Sequence, residues 1–251
     1  MIRTILMLVG AAVCVAVSVA CGGGGDGGND GGASDDTARE ITSDHLSRMV
    51  LALGDFGPEF AGFAMDEKNG LQNVETASEQ DFDPAGERSD LETAGFASGY
   101  RNLYQRQATN GSTFFAGSGA NLFATNEGAG NYVSDSRNEL TEYLGKTNGG
   151  VTISSSSPFD VEVADEAVGA NQEIAIKRED GSTITVWYTS VLFRRGRLTG
   201  VAAISGIGLS QSEQQRLQGK VEALAATMNE RMASALAGTG PSSAHKGCFS
   251  E

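Results

Sequence analysis

Residues 183–194 read Thr-Ile-Thr-Val-Trp-Tyr-Thr-Ser-Val-Leu-Phe-Arg, and this run constrains the chain more than any other. Its β-branched and aromatic content specifies a strand. Alternation puts Ile184, Val186, Tyr188 and Leu192 on one face and Trp187, Val191 and Phe193 on the other. A strand that is apolar on both faces has to be covered on both, so it belongs in the middle of a sheet.

The flanks extend this reading. Residues 172–178 and 197–206 are expected to be neighbouring strands, joined through Asp180-Gly181 and Arg195-Gly196, where glycine supplies a positive φ. Ser210-Gln211-Ser212-Glu213 is a capping box. Leu217, Val221, Leu224, Met228 and Met232 follow at helical spacing, with a stop at Gly238 beyond Leu236. A similar order occurs upstream. Residues 95–122 predict two strands around Asn110-Gly111, with Tyr100, Leu103, Tyr104, Phe114, Phe115, Leu122 and Phe123 in the core. A helix capped by Asn126 then runs to about Gly145, with Tyr132, Leu140, Tyr143 and Leu144 inward. Residues 148–150 and 154–157 read as a break, although 151–168 as a whole reads as part of the sheet. Strand–turn–strand–helix thus recurs at 96–145 and 183–236. The expected fold is α+β, a single antiparallel β-sheet with packed helices built from those two units. Ahead of them, Thr42 caps a short helix, with Ile41 and Leu46 as a hydrophobic staple. Gly57-Pro58 breaks the chain before a short strand at 60–65, and residues 73–80 hold a helical turn.

The chain begins with an address. Arg3 precedes an apolar run over residues 5–19, which is short and interrupted by glycine for a membrane span. The run ends Val17-Ser18-Val19-Ala20-Cys21, which resembles a bacterial lipobox, with Ser18 departing from the usual aliphatic residue. Residues 1–20 are read as a lipoprotein signal peptide and Cys21 as the lipidated residue. An uncleaved anchor and an ordinary signal peptide are the alternatives. Residues 21–38 form a Gly/Asp-rich linker that has nothing to bury and stays flexible. The α+β domain spans 39–238, and 239–251 is a disordered tail. Cys14 leaves with the signal and Cys21 is acylated, so only Cys248 remains and the mature chain holds no internal disulfide.

Little reactive chemistry is legible. A net charge of −14 excludes nucleic acid as a partner class. His45 and His245 are the two histidines, too few for a His-dependent triad or a multi-histidine metal site. There is no G-x-S-x-G and no Walker A sequence. Residues 81–92 echo an EF-hand loop through Asp81, Asp83, Gly86 and Glu92, but Ala85 stands at a ligand position and Pro84 stiffens the loop. The preferred reading is a helix start capped by Asp83, so no metal, no cofactor and no catalytic residue is assigned. Arg194, Arg195 and Arg197 cluster at a hairpin tip and form a candidate interaction patch on an acidic protein.

Residues 56–60 (Phe-Gly-Pro-Glu-Phe), 73–80, 91–104 with Gly99-Tyr100, and 191–196 before the final helix resemble a diffuse group of bacterial lipoproteins. The architecture is also similar to PsbP-like folds and to the extracytoplasmic sensor domain of PknH-type kinases. The resemblance implies a binding or accessory role and brings no catalytic residue with it. The expected protein is lipid-anchored at the extracytoplasmic face of the cell membrane, with a non-catalytic domain that binds a small ligand or a cell-envelope protein. The alternatives are a carrier of an apolar molecule between sheet and helices, and a carboxylate-based enzyme. Two or three acyl chains on Cys21 hold a protein durably, where one does so marginally. Cys21→Ser is therefore expected to abolish incorporation of a fatty-acid analogue and to shift the protein out of the detergent phase. Unchanged labelling in that variant counts against this reading.

Overall fold

The computed structural model describes residues 40–79, 81–178 and 180–237. Residues 1–38, read above as a signal peptide and linker with Cys21 between them, lie outside these, as do Gly238, His245 and Cys248. Strands β1 (Ala64–Met65), β2 (Gly70–Gln72), β3 (Phe96–Gln105), β4 (Ser112–Phe123), β5 (Thr147–Asn148), β6 (Val151–Phe159), β7 (Glu166–Lys177), β8 (Thr183–Arg195) and β9 (Leu198–Ile207) form one antiparallel sheet. Its order is β1-β3-β4-β9-β8-β7-β6-β5, with β2 also on the outer edge of β3. Helices α1 (Ser43–Met49), α2 (Val74–Ser78), α3 (Pro84–Thr93), α4 (Asn126–Glu142) and α5 (Gln211–Leu236) pack on it. The two expected units are β3-β4-α4 and β8-β9-α5, and they meet where β4 pairs with β9.

Strand β8 is central and covered on both sides. Trp187, Val191 and Phe193 join one continuous core with Leu217, Val221, Leu224, Met228 and Met232 of α5 and with Leu46 and Met49 of α1. Helix α5 is capped as its sequence specifies, Ser210 and Glu213 each accepting the other's amide. Arg231 ties α5 to the loop after α1, donating to the Val50 carbonyl at 2.8 Å and to Asp55 at 2.8 Å. The opposite face carries α2, α3 and α4, and its core falls into three separate clusters, around Tyr188 and Ile174, around Leu91 and Phe123, and around Val133 and Leu192.

Local departures from the expected elements have physical reasons. The strand predicted at 60–65 is a 3₁₀ turn at Pro58–Phe60 followed by the two residues of β1. Phe56, Phe60 and Phe63 are all buried at spacings of four and three, which a turn of helix satisfies and a strand does not. Asn110-Gly111 is not a two-residue hairpin; it ends a longer loop, and Gly111 donates to the Ile207 carbonyl of β9 at 2.7 Å. Thr125, not Asn126, caps α4, accepting from Gly128 at 3.0 Å. Gly128 lies so close to the Ala94 carbonyl that a Cβ there would sit 2.0 Å from the oxygen, which sets the register of the helix start. Helix α4 ends at Glu142, and Leu144, expected inside, is half exposed because Gly145 at φ 78° turns the chain out toward β5. Residues 154–157 are not a break but the middle of β6, with a register irregularity between Ile153 and Ser155.

Trp187 is 6% exposed between β8 and α5. Truncating a buried aromatic of this kind costs about 3–5 kcal/mol. Trp187→Ala is expected to lower the urea midpoint accordingly with an unchanged m-value. A loss below about 1 kcal/mol means that the α5 face is not packed around this ring.

Candidate functional site

The face of the sheet beneath α2, α3 and α4 holds a cavity of about 140 Å³. In β4 the residues on this face include Gly117 and Gly119, set beside Leu103 and Arg101 of β3 and beside Ala203 and Val201 of β9. Glycine inside a strand marks close approach, and here a Cβ at Gly117 would sit 2.9 Å from Leu103 and Phe115 and one at Gly119 3.2 Å from Val201, so those side chains close over the strand and form the floor. Leu91, Phe115, Tyr132, Tyr188 and Leu192 supply apolar and aromatic walls.

Polar groups enter from the covering layer. The chain turns between α2 and α3 at Asp81, whose carboxylate accepts from the Asp83 amide at 2.8 Å. Asp83 in turn caps α3, accepting from Gly86 at 3.3 Å, and Pro84 occupies the first helical position. One turn on, Glu87 points inward and is 5% exposed. The Tyr132 hydroxyl donates to Glu87 Oε1 at 3.3 Å, while Oε2 is buried with no hydrogen-bond partner in the protein. Glu139, seven residues after Tyr132 on the inner face of α4, is 3% exposed with neither carboxyl oxygen partnered. Gln72 of β2 spends its amide N–H groups on the Gly70 and Leu71 carbonyls, at 2.9 and 3.0 Å. Its Oε1 is buried and unpartnered. Arg101 donates through Nε to the Lys68 carbonyl at 3.0 Å, and no carboxylate among the described residues lies within ion-pair distance of it.

The electrostatics follow from this burial. Asp81, Glu87 and Glu139 are all raised above the usual carboxylate range, first because burial disfavours the charged form and then because they repel one another and Asp90. Glu139 is raised to about 9, with Asp135 and Glu142 adding to the repulsion. Backbone amides oppose the shift at Asp81, and the Tyr132 hydroxyl opposes it at Glu87. Burial lowers Arg101 to about 10, against the favourable charges of Asp66 and Glu79.

The residues singled out from sequence fall elsewhere or disperse. Asp81 lines the cavity, Asp83 serves as a helix cap, and Glu92 is exposed near the end of α3. The three are not brought together, and no metal-holding group of acids, histidines or cysteines occurs among the described residues. The Arg194–Arg197 tip is not one patch. Arg194 faces Asp165 and Glu166 at 3.6 and 3.5 Å, and Arg195 donates to Asn229 of α5 at 2.6 Å. Arg197 is partly buried like the other two. His45 closes the cap of α1, its Nδ1 accepting from the Thr42 amide at 3.2 Å. A wider polar depression of about 330 Å³ lies at the start of α5, where Asn171 donates to Gln218 and Gln218 to Glu222. Sequence reasoning missed Gln72, Glu87, Arg101 and Glu139. Two signals were available: Gly117-Ser118-Gly119 inside a strand, and Tyr132 with Glu139 two turns apart on the face expected to be inward.

No protein-family model and no curated protein matches the chain. Among solved structures it is similar to the extracellular domain of PknH from Mycobacterium tuberculosis, at 12% identity over 77% of this chain and 98% of that one, with a TM-score of 0.47. It is also similar to PA94 from Pseudomonas aeruginosa, described as a protein of unknown function and putative regulator, at 15% identity over 47% and 79% of the two chains, with a TM-score of 0.27. At these values neither likeness carries over a residue or a role. No helix among the described residues is long and apolar enough to cross a membrane.

The buried acids make stability depend on pH with a definite sign. A carboxyl whose folded pKa exceeds its unfolded value binds more protons when folded. Its contribution is complete below the unfolded value of 4.5 and is lost progressively up to about 9 for Glu139. The melting temperature is therefore expected to fall from pH 5 to pH 9. Glu139→Gln is expected to flatten that slope and to melt higher at pH 8.5 by at least roughly 2–4 °C, the shift that goes with about 1 kcal/mol in a domain of this size. Scanning calorimetry decides it, and a variant that melts no higher than the wild type at pH 8.5 contradicts the assignment.

Proposed function

We propose that the chain is an extracytoplasmic lipoprotein whose domain binds a small ligand in the cavity between the sheet and the α2–α3–α4 layer. The anchoring half of this reading is supported by Arg3, the apolar run, Ala20-Cys21 and the glycine-rich linker that follows. The binding half is carried by one observation: Gln72 and Glu87, both of which line the cavity, each bury one acceptor oxygen, Oε1 and Oε2, without a partner in the protein. Each such group costs about 1–3 kcal/mol, which a ligand with matching donors recovers.

The same geometry argues for binding over catalysis. A hydrolytic carboxylate pair needs one acid protonated and the other ionised. Here Asp81, Glu87 and Glu139 are all displaced toward the protonated form. The volume speaks against an acyl-chain carrier, since a cavity of about 150 Å³ accommodates a molecule the size of benzene.

A fragment screen followed by amide chemical shifts tests this reading. Ligands are expected to perturb residues 117–119 and 201–203 in the wild type. Ala203→Leu, which fills the floor of the cavity, is expected to weaken them at least tenfold. Hits that map elsewhere, or that bind the filled variant equally well, count against the site.

A further inference from the structure

We infer that the polar depression at the start of α5 is a second binding site, on the face of the sheet opposite the cavity, and that its ligand is a neutral oligosaccharide. The site stands or falls independently of the cavity beneath α2–α4.

Helical spacing builds one wall. Gln211, Gln214, Gln215 and Gln218 follow at offsets of three, four and seven, so they share one side of α5, and all four line the depression. On the same side Leu217 and Val221 are buried against the sheet, so the helix changes from carboxamides to apolar groups after its first two turns. Below, Ser155 and Ser157 of β6, Asn171 and Glu173 of β7 and Trp187 of β8 form the base. Strand register sets Ser157 beside Asn171, and Ser155 beside Glu173 beside Trp187. Side-chain bonds hold the wall in place: Asn171 donates to Gln218 at 2.8 Å, and Gln214 donates to the Leu209 carbonyl at 3.3 Å. A neighbouring depression of about 400 Å³ shares Glu173, Trp187 and Gln214 with the first and continues past Thr183 and Thr185. The two form one groove that meets at Trp187, and each is within the range of small-molecule sites, about 300–1,000 Å³.

Trp187 is the observation that points to a ligand. Its ring is packed into the α5 core and the residue is only 6% exposed, yet it lines both depressions. The indole N–H donates to no group among the described residues, and it is not one of the atoms sealed off from solvent. A buried indole pairs its N–H with an acceptor, and here that acceptor has to come from whatever fills the groove.

The lining selects the class. Carboxamides and hydroxyls each donate and accept, and they pair with a ligand whose groups do the same, as sugar hydroxyls do. Among the described residues Glu173 is the one charged side chain lining either depression, and no lysine, arginine or histidine lines them, so an anion meets a like charge with no cation to offset it. An apolar molecule leaves the carboxamides unpaired. A peptide that adds as a strand needs open backbone groups, and along this stretch β7 is paired on both sides, with β6 and with β8. A neutral polyol remains, and two depressions joined at one indole suit linked rings better than a single ring.

Trp187 is the only tryptophan of the chain, so its emission reports on the groove directly. The test titrates maltotriose, cellotriose and triacetylchitotriose into the full-length protein, followed by emission and by calorimetry, with glucose, trigalacturonate and trialanine as comparators. We expect at least one of the three neutral trisaccharides to change the emission saturably and to bind at least tenfold more tightly than each comparator. Gln214→Ala places a better helix former at an α5 position, so the fold is kept, and is expected to weaken that binding about fivefold, the loss of one hydrogen-bonding side chain. Ala203→Leu, which fills the cavity on the other face, is expected to leave it unchanged. Glucose or trigalacturonate binding as tightly as the trisaccharides overturns the neutral oligosaccharide, as does binding of trialanine alone. Heat of binding without a change in emission, unchanged affinity in Gln214→Ala, or loss of binding in Ala203→Leu puts the ligand elsewhere and overturns the site. So does the absence of saturable binding by any trisaccharide up to about 10 mM, where the interaction would be worth less than about 3 kcal/mol.

Discussion

A strand that is apolar on both faces cannot face water on either, and this requirement at β8 shapes the whole molecule. Two layers of helix have to be recruited to one sheet, and the chain supplies them from two units of the same order, α4 for one face and α5 for the other. The two layers are unequal. Helix α5 is long, is capped by its own side chains and buries an unbroken apolar stripe against β8, β9 and α1. Burial of that stripe, worth about 25 cal/mol per Å² of apolar surface, makes this face the stable half of the domain. The other layer is assembled from short α2, α3 of ten residues and α4, whose inner face mixes Val133 and Leu140 with Ser136 and Glu139.

That inequality is what leaves room for the candidate site. A continuous core tolerates neither a cavity nor an unpartnered carboxyl. The face beneath α2–α4 holds both, because its apolar residues form three clusters with the acids and the cavity among them. The destabilising groups of the domain, Glu87 and Glu139 among them, are gathered on the face with the lower reserve of packing. Burial of such groups is the kind of local conflict that sequences retain where something other than stability is at stake.

Much of the scaffold was legible because its signals are local. The cap at Thr42 and the capping box at Ser210 depend on residues three apart, and each forms as its spelling specifies. The glycines of Asp180-Gly181 and Arg195-Gly196 turn the chain with φ of 82° and 56°. That the two units share one antiparallel sheet followed from their repeated order, and the structure shows that they join through β4 and β9. Where the reading failed, the deciding contact came from elsewhere in the chain: the Ala94 carbonyl set the start of α4, and the Ile207 carbonyl drew Gly111 away from a tight hairpin.

The site was far less legible, and the arginine tip shows why. Arg194, Arg195 and Arg197 are adjacent in sequence, but strand alternation and a turn send Arg194 to Asp165 and Glu166 and Arg195 to α5. Gln72, Glu87, Arg101 and Glu139 are spread over some seventy residues and, apart from Glu139 two turns after Tyr132, carry no spacing signal, yet they belong to the same face of the sheet. By itself the sequence determined the central strand, the two helices that cover it and the capped ends, because periodicity, turn chemistry and caps act over a few residues. Only the tertiary structure decided which polar residues would be buried, which would lack partners and what volume lies among them, because burial and pairing are properties of residues brought together from distant parts of the chain.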